Sequence, residues 1–286
     1  MQDLQTSLDV RKRLTEFLQE DIGAGDLTSE SIVPEDLAAV AEIICKSKSP
    51  AVVSGLEEAA IVFDICGCAA KVLKRDGSKV EKGTAVMSVS GRARAILKAE
   101  RTALNLIMRM SGISTETERL VNAAGGAKIL ATRKTAPGLR YFDKKAVILG
   151  GGQSHRMGLD DMVLIKDNHL RIGGSPGKCV TEARKRAGHS ATIECEATNK
   201  AETIEAVSAG ADIVMLDNFT PSQAKSTIEA LSRMGLRKKA KIEISGGVRL
   251  ENIRQYARAK PDSISLGYIT HSPRAIDFSL EIKSAV

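Results

Sequence analysis

Residues 132–171 gather the side chains best suited to chemistry: TRKTAPGLRYFDKKAVILGGGQSHRMGLDDMVLIKDNHLR. Eight cations (Arg133, Lys134, Arg140, Lys144, Lys145, Arg156, Lys166, Arg171) stand against four acids (Asp143, Asp160, Asp161, Asp167), with His155 and His169 among them. Like charges at this density repel, so a fold that gathers them needs open solvent or an anion to hold. Their order argues for the anion. Arg133-Lys134 precede a Pro-Gly turn, His155-Arg156 follow three glycines, and Lys166 ends the apolar run 162–165. Cations therefore sit where elements end. Guanidiniums add planar, two-pronged recognition of carboxylates, which lysine does not reproduce.

The elements that must position these groups show a rhythm from residue 128 onward. Apolar runs recur at 129–130, 162–165, 192–195, 212–216, 241–244 and 263–266, with helical periodicity at 179–187, 201–209, 222–234 and 250–259. Residues 146–149 add a further short element. Such alternation implies parallel strands with helical crossovers, closed as a barrel or open as a doubly wound sheet. The strands end in Thr132-Arg133-Lys134, Lys166-Asp167-Asn168-His169, Glu194 and Glu196, Asp217-Asn218, Ser245-Gly246-Gly247 and Gly267. In a barrel these ends converge on one face. Loops are polar anyway, but loop composition alone gives no reason for cations early and carboxylates late.

Before residue 128 the pattern is α+β. Val10, Leu14, Phe17 and Leu18 predict a helix over 9–21 that stops before Gly23, and residues 40–46 alternate as a strand. A helix follows over 55–63, then tight short strands at 70–73, 80 and 85–89. The strong helical pattern at 95–110 carries Arg101, a snorkelling cation or a partner for Glu100, and Gly112 is expected to close it before a new helix at 115–124. The turn region 76–83 looks like a biotinyl or lipoyl hammerhead turn, but its lysine lacks the small apolar neighbours such a cofactor site has, so it reads as structural.

Composition narrows the classes. The chain has 286 residues, 3% aromatic content and no Trp, which provides poorly for base stacking and argues against a single-strand nucleic-acid binder. Its net charge of +7 suits an anionic ligand or nucleic acid alike. No run is long enough to cross a bilayer and no apolar leader opens the sequence, so a soluble, cytoplasmic protein is expected. The five cysteines read as buried reduced thiols, and Cys66-Gly67-Cys68 is too tight for the usual metal or redox spacing.

ERTALNLIMRMSGIST (100–115), TRKTAPGLR (132–140), GGGQSHRMGLDDMVLIKDNH (150–169), IECEA (193–197), ADIVMLDN (211–218), EISGGV (243–248) and SLGYITHS (265–272) together resemble the quinolinate phosphoribosyltransferase family. The resemblance runs from about residue 20 to 277 in consistent order. It implies the α/β, type II phosphoribosyltransferase fold: an N-terminal α/β sandwich-like domain (1–112, joined by a returning segment 273–286) and an incomplete α/β barrel (113–272). It further implies a homodimer in which the neighbour's N-terminal domain covers each barrel mouth. The implied reaction moves phosphoribosyl from phosphoribosyl pyrophosphate to quinolinate with decarboxylation, giving nicotinate mononucleotide, pyrophosphate and CO2 in NAD biosynthesis, with Mg²⁺.

Matched position by position, the resemblance implies that Arg133, His155, Arg156 and Lys166 hold quinolinate, with Arg101 supplied to the neighbouring site. It gives Lys134 to the pyrophosphate, Glu196 and Asp217 to the ribose hydroxyls and metal, and Ser245, Gly246, Gly247, Gly267 and His271 to the phosphate-side loops. Lys134, Glu196 and Asp217 are the expected catalytic residues. One position departs: Ser154 stands where the family usually has Asn before the His-Arg pair. Three alternatives remain at this point. A homologous group from molybdenum-uptake clusters shares the architecture, although Arg101, Arg133, Arg156 and Lys166 together favour a pyridine dicarboxylate. A nonenzymatic basic or RNA-binding scaffold would bind with a steep salt dependence and no need of Glu196 or Asp217. Another phosphate-binding barrel, an aldolase or decarboxylase, would use Lys166 as a Schiff base.

Overall fold

The computed structural model describes residues 2–285, with side-chain environments from residue 9 onward. The chain divides into two compact units, Met1–Thr115 with Pro273–Val286, and Glu116–Ser272.

The first unit opens with helix α1 (Gln2–Ile22), whose Val10, Leu14 and Leu18 form the buried stripe that the spacing predicts. It starts earlier than the periodicity indicates. Helix α2 (Leu27–Ile32) begins where the Asp26 carboxylate accepts the Ser29 N–H at 3.0 Å. Strands β1 (Ala38–Cys45) and β2 (Ala51–Val52), helix α3 (Leu56–Ile65), and strands β3 (Ala69–Val72), β4 (Lys79–Val80) and β5 (Ala85–Arg92) follow. A strand returning from the C-terminal end, Phe278–Ala285, pairs antiparallel with β1, and β1 pairs antiparallel with β5.

Helix α4 (Ala93–Ala123) corrects the sequence expectation: it runs unbroken through Gly112 for 31 residues. Gly112 is not a stop but a close approach. A Cβ there would lie 2.1 Å from the Arg274 carbonyl oxygen and 2.9 Å from its carbon. The polar residues on either side of Gly112 are buried stitching rather than a helix break. Ser111 Oγ accepts from Ser54 N at 3.0 Å, Thr115 Oγ1 accepts from Val52 N at 2.9 Å, and Ser54 and Ser114 hydroxyls pair at 2.7 Å. Because the obstacle is backbone, Gly112→Ala should lower the unfolding free energy by about 2–3 kcal/mol, measured by chemical denaturation. A loss below about 0.5 kcal/mol would mean that the 274–275 segment yields freely.

The second unit alternates strand and helix. In order come β6 (Lys128–Ala131), α5 (Arg140–Leu149), β7 (Gln153–Ser154), β8 (Val163–Ile165), α6 (Asp167–Gly173), α7 (Pro176–Ala187), β9 (Ile193–Ala197), α8 (Lys200–Ser208), β10 (Ile213–Asp217), α9 (Pro221–Arg233), β11 (Lys241–Ser245), α10 (Ile253–Ala257), β12 (Ser263–Leu266) and α11 (Tyr268–His271). The returning strand is β13 (Phe278–Ala285). Residues 146–149 prove to be the last turn of α5, while β7 and α6 had no clear periodic signal.

Helix starts follow local chemistry: Ser175, Asn199 and Thr220 accept backbone N–H groups as N-caps, and Pro176 and Pro221 occupy the first turn. All seven strands are parallel, in the order β7-β6-β12-β11-β10-β9-β8, with β7 and β8 as edges. The sheet is therefore a barrel short of closure. Ile129, Val214, Leu216, Ile242, Ile244, Ile264 and Leu266 are buried core, and the residues alternating with them carry the polar groups. Among the described residues, no helix is long and apolar enough to cross a membrane.

Candidate active site

The C-terminal halves of the parallel strands enclose a cavity of about 310 Å³. Arg133 and Lys134 enter after β6, His155 and Arg156 after β7, and Lys166 after β8; Glu196, Asp217 and Ser245 come from β9, β10 and β11. These eight expected site residues share one pocket. Gly267 lies against both Lys134 and His271, since a Cβ on it would sit 2.7 Å from Lys134 Cδ and 3.3 Å from the His271 ring. Gly246 and Gly247 continue the β11 turn at φ +88° and +66°, and a Cβ on Gly246 would strike the Asn218 side chain at 2.2 Å. Arg101 stands exposed on α4 in the first unit and is not one of the cavity's lining residues.

Two polar lining groups escaped the strand-end reading, Glu243 and Ser265, along with the apolar Leu164 and Met215. Glu243 sits two residues inside Ser245 on the same face of β11 and is fully buried. An isolated carboxylate within the apolar alternation Ile242-Glu243-Ile244 was the available signal. Behind it lies Glu194, also fully buried.

His155 links these carboxylates. The Arg156 backbone N–H donates to His155 Nδ1 at 2.8 Å, which uses that nitrogen's lone pair and leaves the ring proton on Nε2. From there Nε2 donates to Glu194 Oε2 at 2.9 Å, with Glu243 Oε2 at 3.8 Å. Burial opposes charge on the imidazole, but Glu194 and Glu243 outweigh it and raise the His155 pKa. Burial, then Glu194, pushes Glu243 up to about 7. Both shifts come from one buried cluster, so His155 and Glu243 titrate as a pair, each group's charge favouring the opposite charge on the other.

The cations lie opposite. Lys166 Nζ pairs with Glu196 Oε1 at 2.6 Å. Burial, then Arg133, holds the Arg156 pKa below its usual value, and the buried Arg133 Nε has no partner among the described residues. Glu194 Oε1, Glu243 Oε1 and Ser265 Oγ are likewise buried and unpartnered. Arg133, Glu243 and Ser265 all line the cavity, and orphaned polar atoms on the walls of one pocket mark a place for ligand or water. The arrangement can bind an anion on guanidiniums while presenting carboxylates to hydroxyls or a cation.

Two donor sets bear on a metal. His155 Nε2 and one oxygen each of Glu194 and Glu243 lie within 4.8 Å of one another, a set that a metal ion can use. Magnesium, however, takes oxygen ligands, and both His155 ring nitrogens are engaged. Glu196 and Asp217 offer oxygen alone. Burial, then the nearby Glu196, raises the Asp217 pKa, a strain that a divalent cation on both carboxylates would relieve.

Residues 113–281 match the family described as Quinolinate phosphoribosyl transferase, C-terminal domain, and residues 26–111 match its N-terminal domain. The chain is 39% identical to a probable nicotinate-nucleotide pyrophosphorylase [carboxylating] of Methanothermobacter thermautotrophicus, over 94% of this chain and 98% of that one. It is 37% identical to the nicotinate-nucleotide pyrophosphorylase [carboxylating] of Rattus norvegicus, over 93% and 88%. The solved nicotinate-nucleotide pyrophosphorylase from Francisella tularensis superposes with a TM-score of 0.88 at 37% identity, covering 96% of each chain.

Proposed function

The chain belongs to the quinolinate phosphoribosyltransferase family, and we propose that the cavity of its half-open barrel binds quinolinate on Arg133, His155, Arg156 and Lys166. It is an enzyme with nicotinate-nucleotide pyrophosphorylase (carboxylating) activity in NAD biosynthesis. The observation that carries the site reading is the pair of guanidiniums, Arg133 and Arg156, turned into one small pocket with a buried Nε left unpartnered. Two adjacent carboxylates on a planar ring match that pair, because guanidiniums meet carboxylates in the plane.

Phosphoribosyl pyrophosphate then takes the other side. Ser245-Gly246-Gly247, Gly267 and His271 receive its phosphate, since glycine lets backbone donors approach closely. Lys134 neutralises the departing pyrophosphate, while Glu196 and Asp217 hold the ribose hydroxyls against the positive character that builds at the ribose carbon. Glu196 and Asp217 would hold Mg²⁺, which when bound would add to the neutralisation of leaving-group charge. Holding the ring nitrogen against the ribose carbon is the main catalytic device, and no side-chain nucleophile is needed. Once the N-glycosidic bond exists, the carboxylate beside the ring nitrogen leaves as CO2; its bonding pair stays on the ring carbon, stabilised by the adjacent pyridinium charge, and takes up a proton from water to give nicotinate mononucleotide. Arg101, exposed on α4, is assigned to the neighbouring site of a homodimer, and the protein is assigned to the cytoplasm.

The test is an endpoint assay with quinolinate, phosphoribosyl pyrophosphate and Mg²⁺, following nicotinate mononucleotide by mass and released CO2. Product from quinolinate and none from nicotinate is the expected result, since nicotinate lacks the carboxylate that leaves. A folded protein that turns over neither substrate sinks the reading.

A further inference from the structure

Beneath the cavity, α5 carries a lysine to which the reaction above gives no role. Lys144 is 1% exposed. Its ammonium donates to Arg156 O at 2.7 Å, His155 O at 2.8 Å, Ser154 Oγ at 3.1 Å and Ala131 O at 3.3 Å. All four partners are uncharged. The carbonyls of two consecutive residues, His155 and Arg156, thus point at one atom, an arrangement in which their negative ends repel unless a cation lies between them. That same turn delivers the side chains of His155 and Arg156 to the cavity. Ser154 completes the clasp, accepting from Lys144 and donating to His155 O at 2.6 Å. A short hydroxyl therefore serves at the position where the family usually has Asn.

We propose that Lys144, with Ser154 as its local partner, is a positioning residue for the bound dicarboxylate: it holds the backbone of 154–156 in the turn that presents His155 and Arg156 to the ligand. This inference rests on the quinolinate reading. Lys144 does not reach the reacting atoms, so its effect is on binding of the anion and not on the phosphoribosyl side of the pocket.

A buried cation with only dipoles around it is also a titratable one. Burial, then Arg140 on its own helix, holds the Lys144 pKa down to about 8, with Arg133 and Arg156 acting the same way and Asp161 against them. His155, the other titratable group at the clasp, meets Lys144 through its carbonyl. Below that pH the ammonium is charged and the clasp is closed; above it the carbonyls lose their cation. Quinolinate affinity in the parent protein should accordingly fall as pH rises through about 8.

The experiment measures quinolinate binding by calorimetry, and KM for each substrate, in the parent protein, Lys144→Met, Ser154→Ala and Ser154→Asn. Lys144→Met should weaken quinolinate binding by about tenfold or more, leave the phosphoribosyl pyrophosphate KM within about twofold, and erase the alkaline fall in affinity. A thermal melt beside each binding measurement establishes that the variant is folded, since relief of the ammonium's desolvation and the loss of the donor to two carbonyls act on Tm in opposite directions. Unchanged quinolinate affinity in a folded Lys144→Met overturns the proposal, as does an equal rise in both KM values with a lowered Tm. Should Lys144→Met fail to fold, Ser154→Ala decides: a severalfold loss confined to quinolinate, recovered in Ser154→Asn, supports the clasp, and no loss refutes it. A parent protein that binds no quinolinate fails the functional reading itself, and the proposal falls with it.

Discussion

Arg156→Ala should lower kcat/KM for quinolinate by about a thousandfold, and Arg156→Lys should recover less than about a tenth of the loss. The expectation comes from what the guanidinium lacks. Among the described residues its one hydrogen-bond acceptor is the Met162 carbonyl at 3.4 Å, and burial with Arg133 nearby holds its pKa down. A dianion supplies the missing acceptors and relieves the repulsion between the two arginines. Truncating one partner of a buried, hydrogen-bonded charge pair costs about 2–5 kcal/mol, and each 1.4 kcal/mol is about tenfold. Lysine restores charge but not the planar pair of donors. Stability should move the other way, with Tm held or raised because one of two crowded cations is gone. Steady-state kinetics with both substrates varied, beside a thermal melt, checks the prediction. A loss under tenfold would remove Arg156 from the carboxylate site.

Six of the seven barrel strands were legible because each is an apolar run that stops abruptly at polar residues, whereas β7, Gln153-Ser154, is polar and carries no such run. That contrast also exposed Arg133, Lys166, Glu196 and Asp217, which sit at or beside strand ends. Positions inside strands were not legible in the same way. Glu243 and Ser265 reach the cavity because alternation turns them to the inner face, and that face is defined only when seven strands are side by side. Helix α5 inverts the usual pattern: Asp143 and Lys144 are buried while Ile148 is 55% exposed, so the run Asp143-Lys144-Lys145 looks like a solvated surface in the sequence. The reason is functional geometry, since Lys144 has carbonyls to hold rather than water to meet. Gly112 misled for a related reason. A glycine ahead of polar residues resembles a helix end, but its partner is the Arg274 backbone, far along the chain. Local pattern cannot separate a glycine needed for its conformation from one needed for its lack of a side chain.

Asp217→Asn should lower kcat by about a thousandfold with little change in the quinolinate KM, and the loss should exceed that of Glu196→Gln. Both carboxylates line the pocket, yet their surroundings differ. Glu196 already pairs with Lys166 at 2.6 Å, whereas Asp217 accepts from the neutral Asn218 side chain at 2.8 Å. Asp217 is therefore the carboxylate with more charge left to offer a ribose hydroxyl or a divalent cation. Its pKa is raised by burial and by Glu196, so its ionised form is lost at a higher pH than an ordinary carboxylate's. Turnover in the parent enzyme should fall as pH drops through that raised value, and the contribution of Asp217 to this acid limb should vanish in Asp217→Asn, which keeps shape and hydrogen bonding but carries no charge. A titration of Mg²⁺ separates the two ways Asp217 can act. If it holds the cation, half-saturation moves to much higher Mg²⁺ in Asp217→Asn and excess metal recovers part of kcat; if it acts on the hydroxyls alone, kcat stays low at any Mg²⁺ concentration. A variant that keeps parental kcat would leave Asp217 without a catalytic role and shift the stabilisation of the reacting ribose to Glu196.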